Sequence, residues 1–479
     1  MDPSVDYSLV PEELPPLPSD FPTLPELELP SYEMFTLPNG ITVFLVEDHE
    51  VPMVRGSMLI LGGAQADPPS QAGLASVVAS VQSGGGTATL PGQKLYDVLE
   101  DLGATIDGQA GVKTMTFSFS CLAEDTATVM KLFNDVIRHP QMPETKLEQV
   151  RASGLYSVKH RYDSASAVPR RKMQQLLYGE QSPLSRQTSV EGLSSITRDD
   201  LLQFIHKWQR PDTAVLGVVG DFDAPGMKQL LCDTFRDWKP SPVQPKDAPV
   251  LPSLEDSALA EEASSSAAGR IFLVDKPGEQ EASVLLAEPG ISLGDPDEPA
   301  LDVLDDILNG FGGRLFNKVR SKYGLTYSVY GGWEAPPQYR GLFTAGGNTE
   351  APAALISAIR EVLNEVLDSS PPTEEEVSIS KTSASNSFVF NFASKKQQLS
   401  RVLVYHVLGL PPDYLIQYQR ALYNVALEDV IAAAKRHLHP ERQTVVVVGD
   451  AAKIEGPLRR LSGSNLQRLP LVPPTEDQA

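Results

Sequence analysis

Two stretches of this chain set residues at spacings where chemistry can be done, one with small hydroxyls and the other with an arginine and a tyrosine. Behind the apolar run Met53–Leu61, Ser76 and Ser80 stand at i and i+4, with Ala79 beside them and the turn Gly84-Gly85-Gly86-Thr87 beyond. Two His at that spacing share one helix face and grip Zn²⁺, while a Glu beside them works on the bound water. A neutral Ser hydroxyl is a poor zinc ligand, and Ala is neither ligand nor base. In the second stretch, Asn309-Gly310-Phe311-Gly312-Gly313-Arg314 leads through Arg320 to Gly324-Leu325-Thr326-Tyr327. Arg is always charged and donates from a planar fork, and a Tyr hydroxyl adds one more donor. From spacing alone, Arg320 reads as an ordinary arginine on a helix surface.

Other chemically suggestive groups have plainer readings. His437 and His439 fall near a helix end, where the dipole favours cations. His160, within Lys159-His160-Arg161-Tyr162-Asp163, has no neighbours that would complete a metal site. Glu47-Asp48-His49-Glu50 occupies a turn between strands. No Lys-Ser/Thr follows Gly84–Gly86 as a phosphate loop requires. Gly310, Gly312 and Gly313 read as a flexible loop rather than a nucleotide motif.

The elements that must position these residues form two copies of one plan. The first opens with a hairpin, Met34–Leu37, Pro38-Asn39-Gly40 and Ile41–Val46. It closes with Pro211-Asp212-Thr213, a continuous apolar run, and Gly220-Asp221; Pro440 to Gly449-Asp450 repeats that ending. Runs so continuously apolar belong at the centre of a sheet. Leu95, Val98, Leu99 and Leu102 mark one amphipathic helix, and Ile356, Ile359, Val362 and Leu363 another. Strands mixed with helices, covered on one side in each half, give an α+β class with two related domains. The prolines and the Ser264-Ser265-Ser266 tract between Pro240 and Gly269 have linker composition.

Composition removes several function classes. A chain of 479 residues is long enough for two or three domains with full cores. The two cysteines, Cys121 and Cys232, sit in apolar surroundings and imply no disulfide framework. No apolar run is long enough to span a bilayer. A net charge of −22 argues against nucleic acid, which needs a concentrated positive field; a solvated acidic surface is its plain reading, and attraction of basic peptides the sharper one. Residues 1–54 hold no Lys or Arg, and the opening is rich in Pro, Leu and Glu. That fits neither a secretory signal nor a transit peptide, so the expectation is cytoplasmic, or an organelle interior if the terminus is already processed.

The frame around Ala72-Gly73-Leu74-Ala75-Ser76-Val77-Val78-Ala79-Ser80 resembles the zinc helix of the insulinase/pitrilysin peptidases, whose inverted motif is H-x-x-E-H. The resemblance runs from about Tyr32 to Leu461. It implies that Ser76 and Ser80 replace the His ligands and Ala79 the Glu base. The third ligand, a Glu further along in a long helix, falls at Tyr156 or Ser157. It also implies that Arg320 and Tyr327 are the family's C-terminal clamp on a substrate carbonyl, with Gly310, Gly312 and Gly313 guiding the peptide. The expected fold is two homologous processing-peptidase-like domains, each a mainly antiparallel sheet packed with helices. The expected divisions are an arm at 1–31, domains at 32–239 and 270–463, a linker at 240–269 and a tail at 464–479.

In this family, subunits often pair so that one holds zinc and the other is degenerate. The resemblance therefore implies a non-catalytic, substrate-binding subunit with no metal of its own. Its partner would be a homologous subunit bearing the zinc motif, and the pair would act on peptides as a metalloendopeptidase. A peptidase-derived structural scaffold, or an active metallopeptidase with atypical ligands, are the alternatives.

Overall fold

The computed structural model describes residues 31–472 apart from 181, 240–256, 311, 338 and 393; the expected N-terminal arm therefore lies almost wholly outside the described residues. The first half contains strands β1 (Glu33–Thr36), β2 (Thr42–Glu47), β3 (Met53–Leu61), β4 (Thr105–Ala110), β5 (Thr114–Leu122) and β6 (Ala214–Gly220). The second contains β7 (Ile271–Asp275), β8 (Ala282–Pro289), β9 (Val329–Trp333), β10 (Leu342–Thr349), β11 (Thr444–Gly449) and β12 (Leu466–Leu469). Each half builds a six-stranded sheet, in the orders β1-β2-β6-β3-β5-β4 and β12-β7-β11-β8-β10-β9.

The two orders superpose strand for strand except at one edge. β2 pairs parallel to β6 as β7 does to β11, and the next three pairings are antiparallel in both sheets. The mainly antiparallel, duplicated α+β fold is thus present. The continuous apolar runs at Ala214–Gly220 and Thr444–Gly449 are buried at every residue and central, because both faces of each strand are covered. In the hairpin β1–β2, Gly40 takes φ +100°, a left-handed turn conformation that glycine adopts without a Cβ clash.

The expectation that each sheet is covered on one side is corrected by the structure. A principal core lies between each sheet and its own helices. The opposite face is covered by a helix from the other half. Helix Val168–Tyr178 sets Val168, Met173 and Leu177 against Phe272, Val274 and Leu285 of the second sheet. Helix Lys395–Leu408 sets Leu399, Val402 and Leu403 against Phe44, Leu59 and Val215 of the first. The approach is close: a Cβ on Gly217 would lie 2.7 Å from Leu403 Cδ1.

Within the expected linker, residues 240–256 lie outside the described residues, but Ser257–Ala267 is a helix whose Ala267 is buried beside helix Val168–Tyr178. The expected tail begins with β12, which pairs parallel to β7 and gives the second sheet its edge. Among the described residues no helix is long and apolar enough to cross a membrane.

Candidate functional site

Helix Leu74–Gly84 follows β3 and enters through Gly73 at φ +102°. Asp67, 5% exposed, fixes its start by accepting hydrogen bonds from Gly73 N at 2.7 Å and Ala75 N at 2.8 Å. Burial pushes the Asp67 carboxyl up to about 6, against the opposing effect of those donors. Ala75, Val78 and Val81 are fully buried, which turns Ser76 and Ser80 outward together on one exposed face. Ala79, at the position of the base, is 0% exposed and part of the core.

The adjacent helix Glu144–Lys159 brings no carboxylate to the remaining ligand position. Tyr156 is 67% exposed and stacks on His160 with ring centroids 4.2 Å apart. Ser157 Oγ donates to Ser153 O at 3.0 Å, as an exposed helical serine commonly does. His160 is engaged with Asp163 at 2.6 Å. Among the described residues, the one group of three metal-competent side chains is Asp295, Asp297 and His437, in the second half. Its Asp297 is already held by Arg436 at 2.5 and 2.7 Å and by His437 at 2.8 Å. The Arg436 guanidinium, with the His437 hydrogen bond, lowers the Asp297 pKa and makes the group a polar network at a helix end.

The second half brings its residues together. Helix Glu298–Asn309 ends at Gly310, whose N–H donates to Asp306 O at 2.6 Å, and Gly313 N donates to Gly310 O at 2.5 Å. Gly312 sits at φ +83° with open space where a Cβ would be. Those two backbone hydrogen bonds tie Gly310 and Gly313 to the end of the helix. A π-helical turn, Phe316–Lys322, follows, anchored by the buried Leu315 and Val319. π-Helical turns recur at functional sites.

On that turn the Arg320 guanidinium lies between two rings, 4.7 Å from the Phe316 centroid and 4.3 Å from that of Tyr327. Tyr327 is 82% exposed, so the stack opens to solvent. Neighbouring cations are tied down: Arg314 to Glu376 at 2.7 Å, and Lys318 to Glu361 at 2.8 Å. Among the described residues no carboxylate or hydrogen-bond acceptor engages the Arg320 side chain. The arrangement holds a planar cation by cation–π contact and keeps its donors available for a polar ligand. Phe316 carries no role in the sequence reading; its signal is an aromatic residue four positions before the arginine. No hydrogen bond, ion pair or ring contact among the described residues links this stack to Ser76 or Ser80.

Comparison with known proteins also divides the chain into two domains. A family model described as Insulinase (Peptidase family M16) matches residues 42–186, and one described as Peptidase M16 inactive domain matches residues 195–383. A Bacillus subtilis (strain 168) protein named uncharacterized zinc protease YmxG is 22% identical over 373 residues, covering 77% of this chain and 86% of that protein. A Helicobacter pylori protein named non-peptidase homolog YmxG is 20% identical over 424 residues, covering 86% and 93%. The crystal structure of a peptidase M16 inactive domain from Pseudomonas fluorescens shares the fold, with a TM-score of 0.75 at 23% identity over 88% of this chain and 98% of that one. With two M16 models side by side on a duplicated fold, and Ser76, Ala79 and Ser80 at the metal-site positions, the chain belongs to the insulinase family of peptidases, M16, as a degenerate member without the inverted zinc motif.

Proposed function

We propose that this chain is the non-catalytic, substrate-binding subunit of a two-chain zinc endopeptidase. A homologous partner subunit supplies the metal, the activated water and the Glu base. This chain supplies Arg320 and Tyr327, which donate hydrogen bonds to a peptide carbonyl as its oxygen becomes negative. The observation that carries the reading is the Phe316–Arg320–Tyr327 stack, where a cation is held in place with its donors unused while the nearby Arg314 and Lys318 are paired. Gly310, Gly312 and Gly313, shortly before Arg320 in the chain, border the path of the peptide. The degenerate helix Leu74–Gly84 supports the same reading, because it offers no group to activate water.

The test is to purify the chain alone and again after co-expression with a zinc-motif homologue. Zinc content and hydrolysis of a peptide panel are then measured for each. The expected result is no stoichiometric zinc and no hydrolysis for the lone chain, with both present in the pair. Chelator-sensitive hydrolysis by the lone chain would instead mean an active enzyme with other ligands. The name of the Helicobacter relative favours a second reading, a structural scaffold; a pair that assembles but neither binds nor cleaves peptide would select it.

A further inference from the structure

A cavity of about 580 Å³ lies where the halves meet, and neither the Ser76–Ser80 face nor the Arg320–Tyr327 stack contributes to its lining. Sites for small organic ligands span roughly 300–1,000 Å³. Its walls come from helix Val168–Tyr178, helix Ser257–Ala267 and the ends of β8 and β10. Leu177, Ala287 and Leu342 give it an apolar side that belongs to the core cluster shared by the two halves.

The charges around the cavity are unequally matched. Arg436 and His437 are held by Asp297. Glu288, 4% exposed, accepts from His439 N at 3.0 Å and from Gln443 Nε2 at 2.9 Å, with His439 Nδ1 at 3.0 Å. Two guanidinium groups remain. Arg340 donates from Nε to Gly290 O at 2.7 Å, and among the described residues no acceptor engages its terminal nitrogens. Arg442 is exposed and has no side-chain hydrogen bond or ion pair among the described residues. Glu261 on the facing helix is exposed and pairs with neither.

We propose that this cavity binds a small carboxylate with an apolar body, its head at Arg340 and Arg442 and its tail along Leu177, Ala287 and Leu342. A planar guanidinium matches a carboxylate through paired N–H donors, and the apolar side removes the tail from water. Both halves and the connecting helix supply walls, so the bound ligand holds them together and raises thermal stability by mass action. The site is independent of the peptidase reading.

Octanoate titrated calorimetrically into the full chain tests it, with octylamine and inorganic phosphate as separate probes for tail and head. The expected result is one octanoate per chain and a melting temperature that climbs with its concentration. Arg442→Ala, at an exposed position outside the core, should weaken octanoate about tenfold or more, the effect of one charge-assisted hydrogen bond. Arg442→Lys should restore part of that loss. Octanoate binding no tighter than octylamine or phosphate, or unchanged in Arg442→Ala, overturns the assignment.

Discussion

The helix after β3 and the π-helical turn before β9 belong to opposite halves of a duplicated fold, and their surfaces have gone opposite ways. In the first half, Ser76 and Ser80 are small hydroxyls facing water, and Ala79 is sealed into the core. In the second, Arg320 sits between two rings without a counter-charge, and Tyr327 exposes most of its ring. Packing explains the first arrangement completely. It does not explain the second, because an exposed tyrosine and an unpaired arginine add little to a core. The difference sets a helix that packing accounts for against a cation–π stack that core packing does not account for.

The largest effect should come from putting ligands back into the first half. Ser76→His with Ser80→His, combined with Tyr156→Glu or Ser157→Glu, places three donors on exposed positions of adjacent helices. Atomic absorption should then find one zinc per chain in at least one combination. Hydrolysis should not return with it. Ala79→Glu would force a carboxylate into the core, at a cost on the order of 3 kcal/mol. If no combination holds zinc, the frame itself has closed and the halves differ by more than side chains.

Arg320→Ala comes next. In the co-expressed pair, loss of one oxyanion donor should lower kcat on the order of 10²–10³-fold without blocking assembly. Arg320→Lys should recover little, because an ammonium has neither the planar stack nor the fork. Near-normal turnover in Arg320→Ala would make the second half as inert as the first.

The sequence makes the contrast legible in part. Met53–Leu61 is a strand because its alternating residues line one sheet face, and the burial of Ile356, Ile359, Val362 and Leu363 follows their helical spacing. The duplicated Pro-to-Gly-Asp endings mark the two central strands. Helix Val168–Tyr178 is different: its spacing shows that one stripe is buried but not that the stripe rests on the other half's sheet. Ser264-Ser265-Ser266 reads as linker by composition, yet those residues are helical, and Ser264 and Ser265 line a cavity. The stack at Arg320 depends on a π-helical turn, which residue types do not announce.

The exchanged helices offer a third probe, on whether the halves are separate objects. Leu403, on helix Lys395–Leu408 of the second half, is 1% exposed and packs against the first sheet. Leu403→Ala should destabilise the chain by about 2–5 kcal/mol. Calorimetry should still show one transition, since each half covers the other's sheet. Two separated transitions would mean that each half keeps its core without the borrowed helix.

The smallest expected effect concerns the carboxylates of helix Glu298–Asn309. Burial, with Asp302 nearby, pushes the Asp305 carboxyl up to about 7. Its folded pKa then lies above the unfolded value near 3.9, so the folded state binds the extra proton between those limits. The contribution is full below about pH 4 and is lost as pH rises through 7, on the order of 1–2 kcal/mol after relaxation. Asp67 at the start of helix Leu74–Gly84 follows the same sign with its transition near 6. Melting temperature measured from pH 5 to 8 should therefore fall with rising pH, and Asp305→Asn should flatten the upper part of that slope while leaving the Asp67 step. An unchanged slope in Asp305→Asn would place the titration elsewhere and remove the acidic helix from the contrast between the halves.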